Sequence, residues 1–161
     1  MSLITALSDA IKQQIDMALK KFPENNPQSA IMPALTAAQD EHDNLTPQLM
    51  DLVAEYLKVP KISVYEVASF YSMYDLNPVG KYKISVCTNI SCMLCNCDKI
   101  TKHLKNKLAI DFNETSKDGK FTLKEVECLA ACDKAPVMLI NKQYHYNLTA
   151  AKIDTILEGL D

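Results

Sequence analysis

Hydrophobic residues in the first part of the chain recur at the period of a helix. The clearest series steps by three or four positions, which places its members on one helix face: Ile4, Leu7, Ile11, Ile15, Ala18 and Phe22. Pro23 and Pro27 end this series, because the residue before a proline avoids the helical conformation. The first segment is therefore predicted to be an amphipathic helix with one buried face.

Three further helices are predicted from residues that cap helix starts. Ser29 is placed to cap a helix over residues 31–38. Thr46 followed by Pro47 marks another start, since proline fits the first position of a helix. Ser63-Val64-Tyr65-Glu66 has the form of a capping box, in which a hydroxyl and a carboxylate each satisfy a backbone amide. Together these segments predict a small helical bundle.

The fourth predicted helix, Val64–Tyr74, is rich in aromatic residues. It holds four of the seven Tyr and four Phe residues in the chain: Tyr65, Phe70, Tyr71 and Tyr74. One interpretation is that they form the core of the bundle. The other is that some lie at an interface with another subunit, where aromatic residues are enriched. The sequence leaves both open.

After Asn77-Pro78-Val79-Gly80, the clearest break in the chain, the hydrophobic period changes from that of helices to that of strands. We expect a helical bundle over residues 1–78 and a second domain over residues 79–161. Residues 113–120 are predicted to be a polar turn. The other elements of the second domain are predicted, in order, as a strand, a helix, three strands and a helix: 82–87, 92–108 or 96–108, 121–127, 137–140, 143–146, and a helix that Thr149 caps. This is the order of a thioredoxin-like domain without its first strand and helix, so the fold class is α+β or α/β.

The composition is that of a soluble globular protein. The chain has 161 residues, of which 48% are hydrophobic and 23% charged. Its net charge is −3 and no stretch is strongly basic, so no nucleic acid partner is expected. There is no apolar run of about eighteen residues, so no membrane insertion is expected. The first residues do not resemble a signal peptide, and we expect the chain to stay in a reducing compartment.

All six cysteines lie between Cys87 and Cys132, in two groups that each follow a predicted strand. The members are Cys87, Cys92, Cys95 and Cys97 in the first group, and Cys128 and Cys132 in the second. Neighbouring strands of one sheet present their loops at the same edge, so the two groups are expected to converge. In a reducing compartment such cysteines are typically metal ligands or redox thiols.

Four kinds of site are compatible with this spacing, and the spacing alone does not separate them. The first is a [2Fe–2S] site that takes two ligands from each group. The second is a plant-type ferredoxin site, which Cys87-x4-Cys92-x2-Cys95 and a distant cysteine would satisfy, although the predicted element order is not that of a mostly β half-barrel. The third is a dithiol oxidoreductase that uses Cys92 and Cys95, since a thiol pKa falls where a helix begins. The fourth is a zinc site.

No other catalytic group is predicted. His42, His103 and His145 lie outside the cysteine groups, which disfavours a mixed cysteine–histidine cluster. His103 is predicted to face solvent. With only three glycines, the chain cannot contain the G-x-G-x-x-G fingerprint of a nucleotide site.

At two motifs the chain closely resembles the family of small [2Fe–2S] subunits of respiratory complex I, the NADH-quinone oxidoreductase. The first motif is Cys87-Thr88-x-x-x-Cys92-Met93-Leu94, and the second is Glu127-Cys128-Leu129-x-Ala131-Cys132-x-x-Ala135-Pro136. The similarity extends to Val64–Tyr74, to Asn77-Pro78-Val79-Gly80-Lys81-Tyr82 and to Leu148-Thr149, and so covers most of the chain.

The resemblance implies an N-terminal helical bundle followed by a thioredoxin-like [2Fe–2S] ferredoxin domain. It implies cluster ligands at Cys87, Cys92, Cys128 and Cys132. It further implies an electron-transfer subunit of complex I that exchanges electrons with FMN in a partner flavoprotein subunit. That partner also binds NADH, so this chain would hold neither nucleotide and no complete active site.

The resemblance also implies where the chain lies and what it contacts. Its partners would be the flavoprotein and the rest of the peripheral arm, with the Val64–Tyr74 aromatics near the flavoprotein. The location would be the bacterial cytoplasm, on the cytoplasmic face of the inner membrane through the complex.

Two alternatives and two departures accompany the resemblance. Small subunits of NAD-linked hydrogenases and formate dehydrogenases share the motif, so an equivalent subunit of such a complex is one alternative. A stand-alone dithiol oxidoreductase that uses Cys92 and Cys95 is the other. The family often has glycine where Ala130 stands, and a glycine accepts a positive φ more readily. Cys95 and Cys97 are not family ligands.

Overall fold

The computed structural model describes residues 5–160. The chain divides into two compact units between Pro78 and Val79, and each is described by itself. Ile4, the first member of the predicted helix face, lies outside the described residues. Within residues 5–160, no helix is long and apolar enough to cross a membrane.

The first unit is built from helices packed around one core. In the described residues its elements are α1 (Asp9–Leu19), a 3-10 helix (Pro27–Ala30), α2 (Ile31–His42), α3 (Pro47–Leu57) and α4 (Lys61–Phe70). The largest fully buried side chains of the core are Ile11, Ile15, Leu35, Leu45, Leu49, Val53 and Val64. The predicted helical bundle is confirmed.

The start of α3 follows the prediction closely. The Thr46 hydroxyl accepts a hydrogen bond of 3.2 Å from the amide of Leu49, and Pro47 is the first helical residue. This cap satisfies one of the amides that have no partner within the helix.

The caps predicted at Ser29 and Ser63 are wrong. Ser29 lies inside the 3-10 helix, and α2 begins after it without a side-chain cap. Ser63 lies inside α4, which begins at Lys61 directly after Pro60. In both places a proline, Pro27 or Pro60, comes before the serine, and its fixed φ angle already starts the helical turn.

The aromatic segment divides between the core and the surface, since α4 ends at Phe70 and not at Tyr74 as predicted. Tyr74 is buried in the core, and its hydroxyl donates to the carbonyl of Met32 at 2.9 Å. Phe70 is 80% exposed and packs edge-on against Tyr71, with ring centroids 5.0 Å apart. The core interpretation is therefore right for Tyr74 and wrong for Phe70.

The second unit is a mixed sheet flanked by helices. In the described residues its elements are β1 (Tyr82–Cys87), α5 (Ile90–Leu94), α6 (Cys97–Leu108), β2 (Glu114–Thr115), β3 (Phe121–Val126), a 3-10 helix (Cys132–Lys134), β4 (Met138–Ile140), β5 (Gln143–His145) and α7 (Ala150–Glu158). The strand order is β2-β3-β1-β4-β5, in which β1 and β3 are parallel and the other neighbours antiparallel. The connection from β1 to β3 runs through helices, as a parallel pair requires.

The core of this unit joins the sheet to α6 and α7. Its fully buried members are Ile84, Leu104, Leu123, Met138 and Ile153. Thr149 caps α7 as predicted, since its hydroxyl accepts a hydrogen bond of 3.2 Å from the Lys152 amide.

Two details of the second unit differ from the prediction. Part of the predicted polar turn forms β2, where the hydroxyls of Thr115 and Thr122 lie 2.7 Å apart across the strand pair. A contact between two threonine hydroxyls leaves no trace in a hydrophobic pattern. The predicted single helix is two, because Asn96 takes a left-handed φ of 66° between α5 and α6.

Candidate metal centre

Both cysteine groups begin at the same edge of the sheet. In the parallel pairing of β1 with β3, Cys87 lies opposite Val126. The amide of Thr88 donates to the carbonyl of Val126 at 3.2 Å. The two strands therefore end side by side, and Cys128 follows two residues later, which is the juxtaposition expected from the sequence.

Three thiols of the first group are buried together. Cys87, Cys92 and Cys97 form a small cluster with Val137, which we call the thiol cluster. The side chain of Asn89 caps α5, which carries Cys92 into the thiol cluster. Cys97 is the first residue of α6.

Burial keeps the thiols of this cluster protonated. It raises the pKa of Cys92 to about 11, and the neighbouring Cys87 adds to the rise. Burial also raises the pKa of Cys97, with the carboxylate of Asp98 as the next cause. Since the thiolate is the form that binds a metal, ligation by Cys92 would release a proton.

The second group lies on a loop that has no regular structure before Cys132. Cys128 and Cys132 are exposed, whereas Leu129 and Ala131 between them pack against the thiol cluster. Ala130 has a φ of 53°, and its amide donates to Sγ of Cys128 at 3.2 Å. The loop thus lies against the first group and keeps its own thiols at the surface.

The four candidate ligands share one edge of the sheet without forming a closed group. Cys87 and Cys92 are buried, while Cys128 and Cys132 lie at the surface of the adjacent loop. Among residues 5–160, no three His, Cys, Asp or Glu side chains are arranged as a ready metal site. The chemistry of the donors nevertheless fits an iron–sulfur group, because four free thiols on two adjacent loops are the soft ligands it takes.

Cys95 does not share the environment of Cys92. It is exposed at the end of α5, whereas Cys92 is 1% exposed. A dithiol enzyme needs a nucleophile with a lowered pKa, and the pKa of Cys92 is raised. The geometry therefore opposes a dithiol oxidoreductase. It also opposes a plant-type site, since Cys95 lies outside the cluster that holds Cys87 and Cys92.

His103 does not face solvent as predicted. Its Nε2 lies 3.0 Å from Oδ1 of Asp154, which links α6 to α7. Lys107 places its Nζ 3.0 Å from the same oxygen. The periodicity of α6 cannot reveal this contact, because the partner comes from the last helix of the chain.

Two tyrosines beside the second loop were not found from the sequence. Tyr144 donates a hydrogen bond of 3.2 Å to the carbonyl of Leu129, and Tyr146 packs against the thiol cluster. Their rings are stacked, with centroids 5.6 Å apart. The available signal is their alternation along the strand that follows the second group, which puts both rings on one face.

The fold and the two cysteine groups define an iron–sulfur protein of the thioredoxin type. The sequence model of the family described as "Thioredoxin-like [2Fe-2S] ferredoxin" matches residues 15–161. The chain belongs to this family, whose cofactor is a [2Fe–2S] cluster.

Two relatives are E-type subunits of one respiratory enzyme, the NADH-quinone oxidoreductase. The relative from Rhizobium meliloti (strain 1021) is 43% identical over 149 residues, which cover 92% of this chain and 88% of the relative. The relative from Rickettsia typhi (strain ATCC VR-144 / Wilmington) is 46% identical over 151 residues, which cover 91% of this chain and 89% of the relative. The resemblance stated from the motifs is confirmed.

A solved structure shares the fold. The NAD+-reducing [NiFe]-hydrogenase in its air-oxidized state superposes with a TM-score of 0.67 at 24% sequence identity. The match covers 78% of this chain and 22% of the hydrogenase chain. At this identity the similarity shows the fold alone, and it confirms the predicted fold class.

Proposed function

We propose that this chain is an electron-transfer subunit of an NADH-quinone oxidoreductase and carries one [2Fe–2S] cluster. The observation that carries the proposal is the start of both cysteine groups at one sheet edge, in a chain whose relatives are E-type subunits of that enzyme. When bound, the cluster supplies one-electron chemistry without making or breaking a bond in a substrate.

The proposed ligands are Cys87 and Cys92 from the first group and Cys128 and Cys132 from the second. Two features support this choice over the other thiols. Each pair follows the end of β1 or β3, and these strands are neighbours. Cys95, by contrast, is exposed and lies outside the thiol cluster.

The residues around these thiols set the environment of the cluster. Val137 and Tyr146 supply apolar surface on the side of the first pair. The Ala130 amide supplies a hydrogen bond to Sγ of Cys128. Hydrogen bonds to sulfur and exclusion of water are the means by which a protein sets the reduction potential of such a centre.

We further propose a flavoprotein partner that holds FMN and NADH, since this chain is expected to hold neither. The exposed aromatic pair Phe70 and Tyr71 supports a partner surface on the first unit, because exposed aromatic residues mark interaction sites. The remainder of the peripheral arm would bind the chain to the cytoplasmic face of the bacterial inner membrane. Residues 1–78 and 79–161 are proposed as its two domains, which the division at Pro78 and Val79 supports.

The test is anaerobic purification followed by low-temperature EPR spectroscopy before and after reduction with dithionite. We expect a signal that appears only on reduction and integrates to about one spin per chain, with equal amounts of iron and acid-labile sulfide. Stoichiometric zinc, or a titratable disulfide without iron, would contradict the proposal. The partner is tested by co-purification of the flavoprotein with the unsubstituted chain and with Phe70→Ser. We expect the substitution to reduce the recovery of flavin while the EPR signal per chain stays the same.

A further inference from the structure

The loop that carries Cys128 is held by contacts to a single peptide group. The carbonyl of Leu129 and the amide of Ala130 belong to the same planar unit. The amide donates to Sγ of Cys128 at 3.2 Å. The carbonyl accepts a hydrogen bond of 3.2 Å from Oη of Tyr144.

These two hydrogen bonds form a chain from a tyrosine hydroxyl to a cysteine sulfur. In a trans peptide the C=O and N–H point in opposite directions, so a donor at the oxygen and an acceptor at the hydrogen polarise the same group in the same sense. Hydrogen bonds in such a chain strengthen one another. Tyr144 therefore acts on the sulfur of Cys128 without touching it.

Tyr144 is itself fixed in place. It pairs with Leu139 in the antiparallel ladder of β4 and β5. Its ring is stacked on Tyr146 at an interplanar angle of 9°. The Lys134 ammonium lies 4.7 Å from the centroid of the Tyr146 ring, which ties the stack to the end of the cysteine loop. The hydroxyl thus reaches the loop from a strand of the sheet and not from another loop.

We propose that Tyr144 is a positioning residue that raises the reduction potential of the cluster through the Leu129–Ala130 peptide. The inference rests on the proposed function and on Cys128 as a ligand. Reduction adds one electron to the cluster and makes its sulfurs more negative. A polarised N–H donor stabilises that state more than the oxidised one. The tyrosine keeps its proton and its electrons throughout.

The experiment compares Tyr144→Phe with Tyr146→Phe in the cluster-loaded chain. Both substitutions remove a hydroxyl from the same aromatic stack and keep both rings, but only Tyr144→Phe removes the donor to Leu129. The midpoint potential is measured by redox titration followed by EPR spectroscopy. For Tyr144→Phe we expect the ratio of reduced to oxidised cluster at a fixed solution potential to fall about threefold, which is about 28 mV at about 59 mV per tenfold change of a one-electron couple. Tyr146→Phe is expected to keep the potential of the unsubstituted chain.

The outcomes separate this inference from the proposed function. An unchanged potential in Tyr144→Phe, or an equal change in both variants, overturns the inference while the cluster of the unsubstituted chain remains. Absence of a reduction-dependent signal in the unsubstituted chain overturns both.

A second measurement applies if Tyr144→Phe loses its iron. The exchange rate of the Ala130 amide is then compared in the full-length chains stripped of iron. Faster exchange in Tyr144→Phe alone supports the relay, and equal exchange in all chains overturns it.

Discussion

Cys92 and Cys95 lie three residues apart on one short helix and have opposite environments. Cys92 is buried beside Cys87, and Cys95 is exposed. The pKa of Cys92 is raised to about 11, mainly because burial disfavours its thiolate. The two thiols are therefore unequal in reactivity as well as in position, although their spacing is that of a redox motif.

The first prediction concerns the rate at which these thiols react. In the chain prepared without iron, iodoacetamide should modify Cys95 well before Cys92, because only thiolates react and buried thiols are shielded. A time course followed by peptide mass spectrometry at pH 8 measures both rates. In denaturant the two should react at similar rates, which serves as the control. Faster modification of Cys92 in the folded chain would restore the dithiol interpretation.

A second prediction tests the ligand set. Cys128→Ser and Cys132→Ser should abolish the native EPR signal, because a serine oxygen is a poor substitute for a soft thiolate. Cys95→Ser and Cys97→Ser should keep iron content and signal. The Cys97 variant should also lose roughly 1–2 kcal/mol of stability, since it leaves a polar hydroxyl in a buried site. Loss of the signal in Cys95→Ser would instead favour a plant-type ligand set.

The start of α3 and the order of strands could be predicted from sequence because they depend on local signals. Thr46 and Pro47 act within one helical turn, and the alternation of Tyr82, Ile84 and Val86 is read within a few residues. Ser63 has equally good local chemistry, yet Pro60 starts the helix first. Local rules fail where two of them compete within one turn.

The candidate site was predictable as far as the positions of its thiols along the chain. Cys87 and Cys128 each follow a strand, so their common edge follows from the sheet order. The burial of Cys97 and the contact from Tyr144 to Leu129 are different, because they depend on how α6 and β5 pack. No spacing rule encodes a hydroxyl that reaches a carbonyl fifteen residues away.

The third prediction concerns two alanines that adopt the left-handed conformation. Ala130 in the cysteine loop and Ala109 after α6 both have a φ of 53°. For an L-residue this conformation costs about 1–2 kcal/mol, whereas glycine adds about 0.5–1 kcal/mol of entropic cost. Ala130→Gly and Ala109→Gly should each raise the free energy of unfolding by roughly 0.5–1 kcal/mol, measured by urea denaturation.

Valine substitutions at the same two positions provide the matched controls. Ala130→Val and Ala109→Val should both be destabilising, since a β-branched residue fits a positive φ poorly. A glycine variant less stable than the parent chain would show that the alanine methyl group contributes more by its contacts than it costs by its conformation.

The last prediction is a dependence of stability on pH at the contact between α6 and α7. Asp154 accepts contacts from Lys107 and His103, each at 3.0 Å. The hydrogen bond from Lys107, followed by that from His103, lowers the pKa of Asp154 below its usual value. A carboxyl group with a lowered folded-state pKa contributes stability at neutral pH, and this contribution is lost as the pH falls below about 4.

Asp154→Asn should therefore lower the melting temperature at pH 7, and the difference from the parent chain should shrink as the pH falls below about 4. Circular dichroism melts of both chains, prepared without iron so that acid release of the cluster does not contribute, measure this difference. Glu158→Gln is the control, because Glu158 lies 3.7 Å from Lys107 and is largely exposed, and an exposed pair contributes little. A difference that stays constant down to the lowest pH would mean that Asp154 stabilises the helices by packing and hydrogen-bond geometry, and not by its charge.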